Sequence, residues 1–125
     1  MKKETLYTEN APEPGNYSQA VKLGDTIYVS GQTADDPETG EAVHGSVAEQ
    51  TELILTNIKN ILESAGSSMK KVVKVNVYIS DMKYKEEMDN TYKKFFDKNP
   101  PARIAMAVKG LDAGLDVEID VIAEA

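Results

Sequence analysis

At 125 residues, with 21 acidic against 14 basic side chains, the chain fits one domain and carries a formal charge of -7, which disfavours a polyphosphate partner. Hydrophobic content of 41% with 28% charged residues is that of a soluble globular chain, and the lack of cysteine excludes disulfides, thiolate metal sites and a cysteine nucleophile. No run approaches the roughly 20 apolar residues that span a bilayer or shows the apolar core of a signal peptide, so a cytoplasmic protein without membrane or nucleic-acid partners is expected.

A short strand is predicted at 4–8, followed by a loop rich in turn formers from Asn10 to Asn16. Ser18 to Leu23 and Thr26 to Ser30 read as two strands around Gly24-Asp25, a dipeptide that suits a tight hairpin turn. After a second turn-rich stretch at 35–41, Ser46 and Glu49 have the spacing of a capping box, so a helix is expected to begin there. Ile54, Ile58, Ile61, Leu62 and Ala65 form its apolar stripe, and Gly66 marks its end. Val73, Val75, Val77 and Ile79 alternate with polar residues as in a strand buried on one face. Asp81 is placed to cap a second helix with Met88, Tyr92, Phe95 and Phe96 inward, stopped by Asn99-Pro100-Pro101. On this helix Glu86, Glu87, Asp89 and Asp97 interleave with lysines, the pattern of a solvated face.

Two last strands are predicted, one with Ile104, Met106 and Val108 inward and one with Leu115, Val117, Ile119 and Val121 inward. The short glycine-bearing link at 109–114 suggests that they form an antiparallel hairpin. The whole reads as one α+β domain over residues 1–125, with a two-layer, mostly antiparallel six-stranded sheet and two helices on one face. The opposite face would then carry Lys74, Asn76, Tyr78, Arg103, Ala105, Ala107, Asp116, Glu118 and Asp120. In the expected hairpin Arg103 stands opposite or diagonal to Glu118. Arg103 is the lone arginine, which suits bidentate binding of a carboxylate and equally suits a cross-strand pair that steadies the hairpin.

Gly15-Asn16-Tyr17-Ser18-Gln19-Ala20, Ser30-Gly31-Gln32, Asp36-Pro37-Glu38-Thr39-Gly40, Pro101-Ala102-Arg103 and Val117-Glu118-Ile119-Asp120-Val121-Ile122-Ala123 occur in this order along nearly the whole chain. Together they resemble the signature blocks of the RidA (YjgF, enamine/imine deaminase) family. The resemblance implies a chorismate-mutase-like α+β fold, a homotrimer with ligand clefts between subunits, and hydrolysis of 2-iminoacids and their enamine tautomers to 2-oxoacids and ammonia. It also implies that no metal or organic cofactor takes part. On this reading Arg103 holds the substrate carboxylate and Glu118 positions or activates water. Tyr17, Ser30 and Gly31 line the cleft, with Tyr17 drawn from an adjacent subunit.

Ile104, Ala105 and Ala107 depart from the family pattern, as do Asn16 in place of a frequent Pro and Asp89 in place of a usual Asn. A carboxylate close to Arg103 is expected to have a lowered pKa, which makes Glu118 a weak base until substrate occupies the guanidinium. His44, the single histidine, has no companion with which to bind a metal and is given no role, and Asp112, Asp116 and Asp120 read as solvated. Two other functions fit less well: a non-catalytic 2-oxoacid-binding or chaperone-like regulator, and a ribonuclease.

Overall fold

A computed structural model of the chain describes residues 1–96 and 98–125, so the expected surface role of Asp97 lies outside the described residues. Its elements in chain order are β1 (Glu4–Leu6), β2 (Ala20–Leu23), β3 (Thr26–Gln32), α1 (Val47–Ser64), β4 (Val72–Ile79), α2 (Lys85–Tyr92), β5 (Ala102–Ala107) and β6 (Val117–Glu124). Local signals produce most of them. The turn between β2 and β3 places Gly24 at φ 61°, a conformation that costs glycine little. Ser46 accepts from Glu49 N while the Glu49 carboxylate accepts from Ser46 N, so two otherwise unpaired helix-end donors are satisfied at the start of α1. Asp81 does act as a cap, but of a 3-10 turn (Met82–Tyr84) that leads into α2.

The six strands form one sheet in the order β1-β2-β3-β6-β4-β5. All pairings are antiparallel except β4 with β5, which run parallel because α2 carries the chain back across the sheet between them. The α+β architecture is as expected; the terminal hairpin is not. β6 inserts between β3 and β4, and β5 is left at the sheet edge with β4 separating it from β6. Burial accounts for this arrangement. Val117, Ile119, Val121 and Ala123 are each at most 1% exposed and fill the middle of the core, which an edge position would leave half covered.

Facing those residues are Ile54, Leu55, Ile58, Ile61 and Leu62 of α1, with Met88, Tyr92 and Phe96 completing the layer beside α2. Strand pairing sets the alternation of β5: Arg103 is the partner of Val75, Ala105 of Val77 and Ala107 of Ile79. Those three residues therefore lie on the helix side, while Ile104 and Met106 emerge on the open face, 44% and 39% exposed. This reverses the predicted inward and outward sets of β5. Small residues and one arginine cannot fill a core, but they suit an edge strand beneath a short helix.

Truncation of a residue at the centre of the α1 stripe tests this core. Ile58→Ala is expected to destabilise the fold by about 2–5 kcal/mol in chemical denaturation, with an unchanged denaturant dependence.

Candidate functional site

Glu118 sits on β6 where strand pairing places it beside Tyr78 of β4 on the open sheet face. On its other side the β3–β6 register shifts between Val29 and Gln32, and this irregularity contains Ser30 and Gly31. A Cβ at Gly31 would meet Glu118 Oε2, so any side chain here would push the Glu118 carboxylate out of its present position. Ser30 donates its hydroxyl to Ser18 O at 2.7 Å, and its backbone N donates to Gln19 O at 2.9 Å, fixing the strand against the incoming loop. That loop is anchored from within by Gln19, 1% exposed, whose amide donates to Thr8 O and Pro12 O while its oxygen accepts from Thr8 N. Tyr17 projects from the same loop and is 56% exposed.

These residues line an open cleft of about 350 Å³, so four of the five predicted site residues, Tyr17, Ser30, Gly31 and Glu118, come together within one chain. Asp35 and Asp112 join the lining; Asp35 lay in a turn-rich stretch that no motif marks, and Asp112, read as solvated from sequence, is instead turned over the cleft. Burial, then the charge of Asp112, then that of Asp120, pushes the Glu118 carboxyl above the usual glutamate range. The lowered pKa expected from a nearby Arg103 is not found in the single chain, because that guanidinium lies on the other side of the sheet.

Across the cleft, the 3-10 turn Asp112–Gly114 holds Ala113 at φ 56°, ψ 21°, a left-handed conformation disfavoured for a residue with a side chain. His44 Nε2 donates to Ala113 O at 2.7 Å, joining this turn to the segment before α1. The lone histidine, given no role from sequence, thus helps hold the loop that carries Asp112.

Arg103 makes a different set of contacts. Its Nη1 donates to Asp89 Oδ1 at 2.7 Å, and Lys85 Nζ donates to Asp89 Oδ2 at 2.8 Å. The guanidinium carbon stands 4.8 Å from the centre of the Tyr92 ring, a cation-π distance. Burial alone would raise the Asp89 pKa, but the hydrogen bonds from Lys85 and Arg103 and their charges outweigh it and hold the carboxyl below its ordinary value. Sequence signals for this cradle existed separately, Asp89 as a departure from the family pattern and Tyr92 as part of an apolar stripe, but their meeting depends on β5 being an edge strand.

Asp116 and Asp120 do not gather with Asp112 into a cation site. Asp116 accepts from Ser80 and Gln50, and Asp120 accepts from Asn76. A larger cleft of about 440 Å³, lined by Lys70, Phe95, Phe96 and Lys98 among others, contains none of the predicted site residues. Chemistry rather than size therefore directs attention to the Glu118 cleft.

Comparison with known proteins gives consistent matches. The family described as Endoribonuclease L-PSP matches residues 8–125. A RutC family protein of Pyrococcus abyssi is 47% identical, covering 98% of each chain. The 2-iminobutanoate/2-iminopropanoate deaminase of Bos taurus is 42% identical over 97% of this chain and 89% of its own. Among solved structures, RidA from an Antarctic Psychrobacter superposes with a TM-score of 0.93 at 41% identity, covering 98% of this chain and 99% of that one. E. coli TdcF with bound serine superposes with a TM-score of 0.91 at 34% identity, covering 98% of each.

Two measurements probe the cleft. Ala113→Gly is expected to stabilise the protein by about 0.5–1 kcal/mol in denaturant unfolding, since it relieves the left-handed strain. Because the folded state favours the protonated Glu118 carboxyl, that contribution is full below the unfolded glutamate pKa and is lost as pH rises through the raised value. Asp112→Asn should shift the Glu118 carboxyl midpoint, followed by NMR, to lower pH; an unmoved midpoint would remove Asp112 as a cause.

Proposed function

Because the chain belongs to the RidA family, also called endoribonuclease L-PSP, we propose that it hydrolyses 2-iminoacids such as 2-iminopropanoate, and their enamine tautomers, to 2-oxoacids and ammonia. The observation that carries this reading is the Glu118 carboxyl, raised in pKa and pressed against Gly31 in an open cleft. Within one chain such a group holds a proton more tightly than an ordinary glutamate, which suits it to take a proton from water and return it.

The reaction needs little else. After an enamine tautomerises, Glu118 takes a proton from water as the water oxygen bonds to the imine carbon; the C=N π electrons move to nitrogen, and Glu118 returns that proton there to give a neutral carbinolamine. In its collapse Glu118 takes the hydroxyl proton as the C=O bond forms and the C–N bond breaks, and passes it to the departing nitrogen, which leaves as ammonia. Arg103 contributes by binding the substrate carboxylate, which places the imine carbon within reach of the water. Tyr17 and Ser30 bound the space around it.

Within one chain Arg103 and Glu118 occupy opposite sides of the sheet, with β4 between their strands. A complete site therefore requires a second copy, and we infer a homotrimer whose clefts combine Glu118 of one subunit with Arg103 of its neighbour. Support comes from the open sheet face, where Tyr28, Ile104 and Met106 are 47%, 44% and 39% exposed and offer apolar area for burial. The ligand is thus a small carboxylic acid, in keeping with the serine in the TdcF structure. A protein that intercepts short-lived imines belongs with the cytoplasmic amino-acid enzymes that release them. Ribonuclease activity is a poorer fit, since a chain of charge -7 with Asp35, Asp112 and Glu118 in its cleft repels a phosphate backbone.

Ammonia release from freshly generated 2-iminoacids tests both reaction and assembly. Arg103→Ala and Glu118→Gln are each expected to lose at least about tenfold in kcat/KM relative to wild type. Oligomers refolded from a mixture of the two inactive variants should regain part of the activity, because some clefts then receive an intact residue from each. Absence of any acceleration by wild type over the enzyme-free rate would reject the deaminase reading. Inactive mixed oligomers would reject the shared cleft.

A further inference from the structure

The guanidinium read above as the carboxylate clamp is not a bare cation. Asp89 occupies its Nη1, Lys85 occupies the other oxygen of Asp89, and Tyr92 lies against its face. Both oxygens of Asp89 are thereby engaged, which fixes the carboxylate, and the Tyr92 ring, its centre 4.8 Å from the guanidinium carbon, bounds the guanidinium on that side. Among the described residues Nε and Nη2 of Arg103 have no acceptor, so one edge remains for a ligand. The local charge is that of Arg103 and Lys85 less that of Asp89, a net of one positive charge from three groups. A single ligand carboxylate neutralises this cluster. A second carboxylate meets the negative potential of Asp89 without an added cation to offset it.

We propose that Asp89 is a specificity-determining residue that tunes the Arg103 clamp to monocarboxylates and against dicarboxylates. It acts through charge, by setting the field of a guanidinium that Tyr92 and Lys85 help to hold in place, and it need not touch the ligand. The inference rests on the reading of Arg103 as the clamp, but not on turnover. Asp89→Asn keeps an oxygen to accept from Arg103 Nη1 while removing the charge and the acceptor for Lys85 Nζ, so Lys85→Met, which removes that contact alone with the Asp89 charge retained, is read beside it. Both Asp89 and Lys85 are partly exposed, their side chains 34% and 40% accessible, and neither substitution disturbs the core.

The test is calorimetric binding of 2-oxobutanoate and of 2-oxoglutarate to the assembled protein at low salt. Wild type should prefer the monoacid. Asp89→Asn is expected to tighten 2-oxobutanoate about threefold and 2-oxoglutarate about tenfold, since the electrostatic gain grows with ligand charge. Lys85→Met should move both affinities the other way, again with the larger change for the diacid. An unchanged ratio of the two affinities in Asp89→Asn, equal weakening of both acids, or no binding of either acid by wild type would overturn the proposal. If the ratio shifts while wild type hydrolyses no imine, the charge filter stands and the reaction falls. If imines are hydrolysed and the ratio does not move, the reaction stands and the filter falls.

Discussion

β6 is hydrogen-bonded along both edges, to β3 on one side and to β4 on the other, and its inward residues Val117, Ile119, Val121 and Ala123 lie under α1. Everything that shapes the site follows from that central position. Neighbouring β3 brings Gly31 against Glu118, and the irregularity in their pairing turns Ser30 and Gly31 into the cleft. With the slot beside β4 filled, β5 can only pair on β4's other edge. It runs parallel to β4 because α2 returns the chain to the same end of the sheet. The link to β6 then crosses the end of β4, anchored where Val108 N donates to Ile79 O and Ser80 N to Asp116 O. That crossing places Asp112 over the Glu118 cleft.

The two charged groups at the centre of the proposed chemistry are held in opposite electrostatic settings. Glu118 is half-buried among other carboxyl groups, which favours its protonated form. Arg103 is held by a carboxylate that stays ionised and by an aromatic face, which leave its charge in place and its orientation limited. Neither arrangement is complete as a ligand site in one chain. In the proposed reaction they are complementary halves, and the open face carries exposed apolar residues, Tyr28, Ile104 and Met106.

Much of the fold was legible because the relevant forces are local. The α1 capping box acts over three residues, the apolar stripe Ile54, Ile58, Ile61 and Leu62 repeats with the helix itself, and the β2–β3 turn rests on Gly24. Motif residues Tyr17, Ser30, Gly31 and Glu118 were likewise identifiable, since each stands in a distinctive short block, and they meet in one cleft. Strand order was harder to read. Alternation in 102–108 states only that two faces exist, and the apolar Ile104 and Met106 suggested the wrong one as inward because the open face is itself partly apolar. A strand after a helix after a strand could have pointed to parallel β4–β5 pairing, but the short glycine-bearing link to β6 favoured a hairpin.

The sequence by itself determined the type and order of the main helices and strands, the α+β class, and the motif residues that meet in the Glu118 cleft. These depend on interactions within a few positions along the chain or on side-chain type. Tertiary structure alone decided that β6 lies at the centre, that Arg103 turns toward Asp89 and Tyr92 rather than toward Glu118 of the same chain, and that within one chain burial and nearby carboxyl groups push the Glu118 carboxyl up. Competition among whole strands for the most buried slot settles the first of these. Facing and electrostatic environment then follow from the distant segments that each side chain is made to meet.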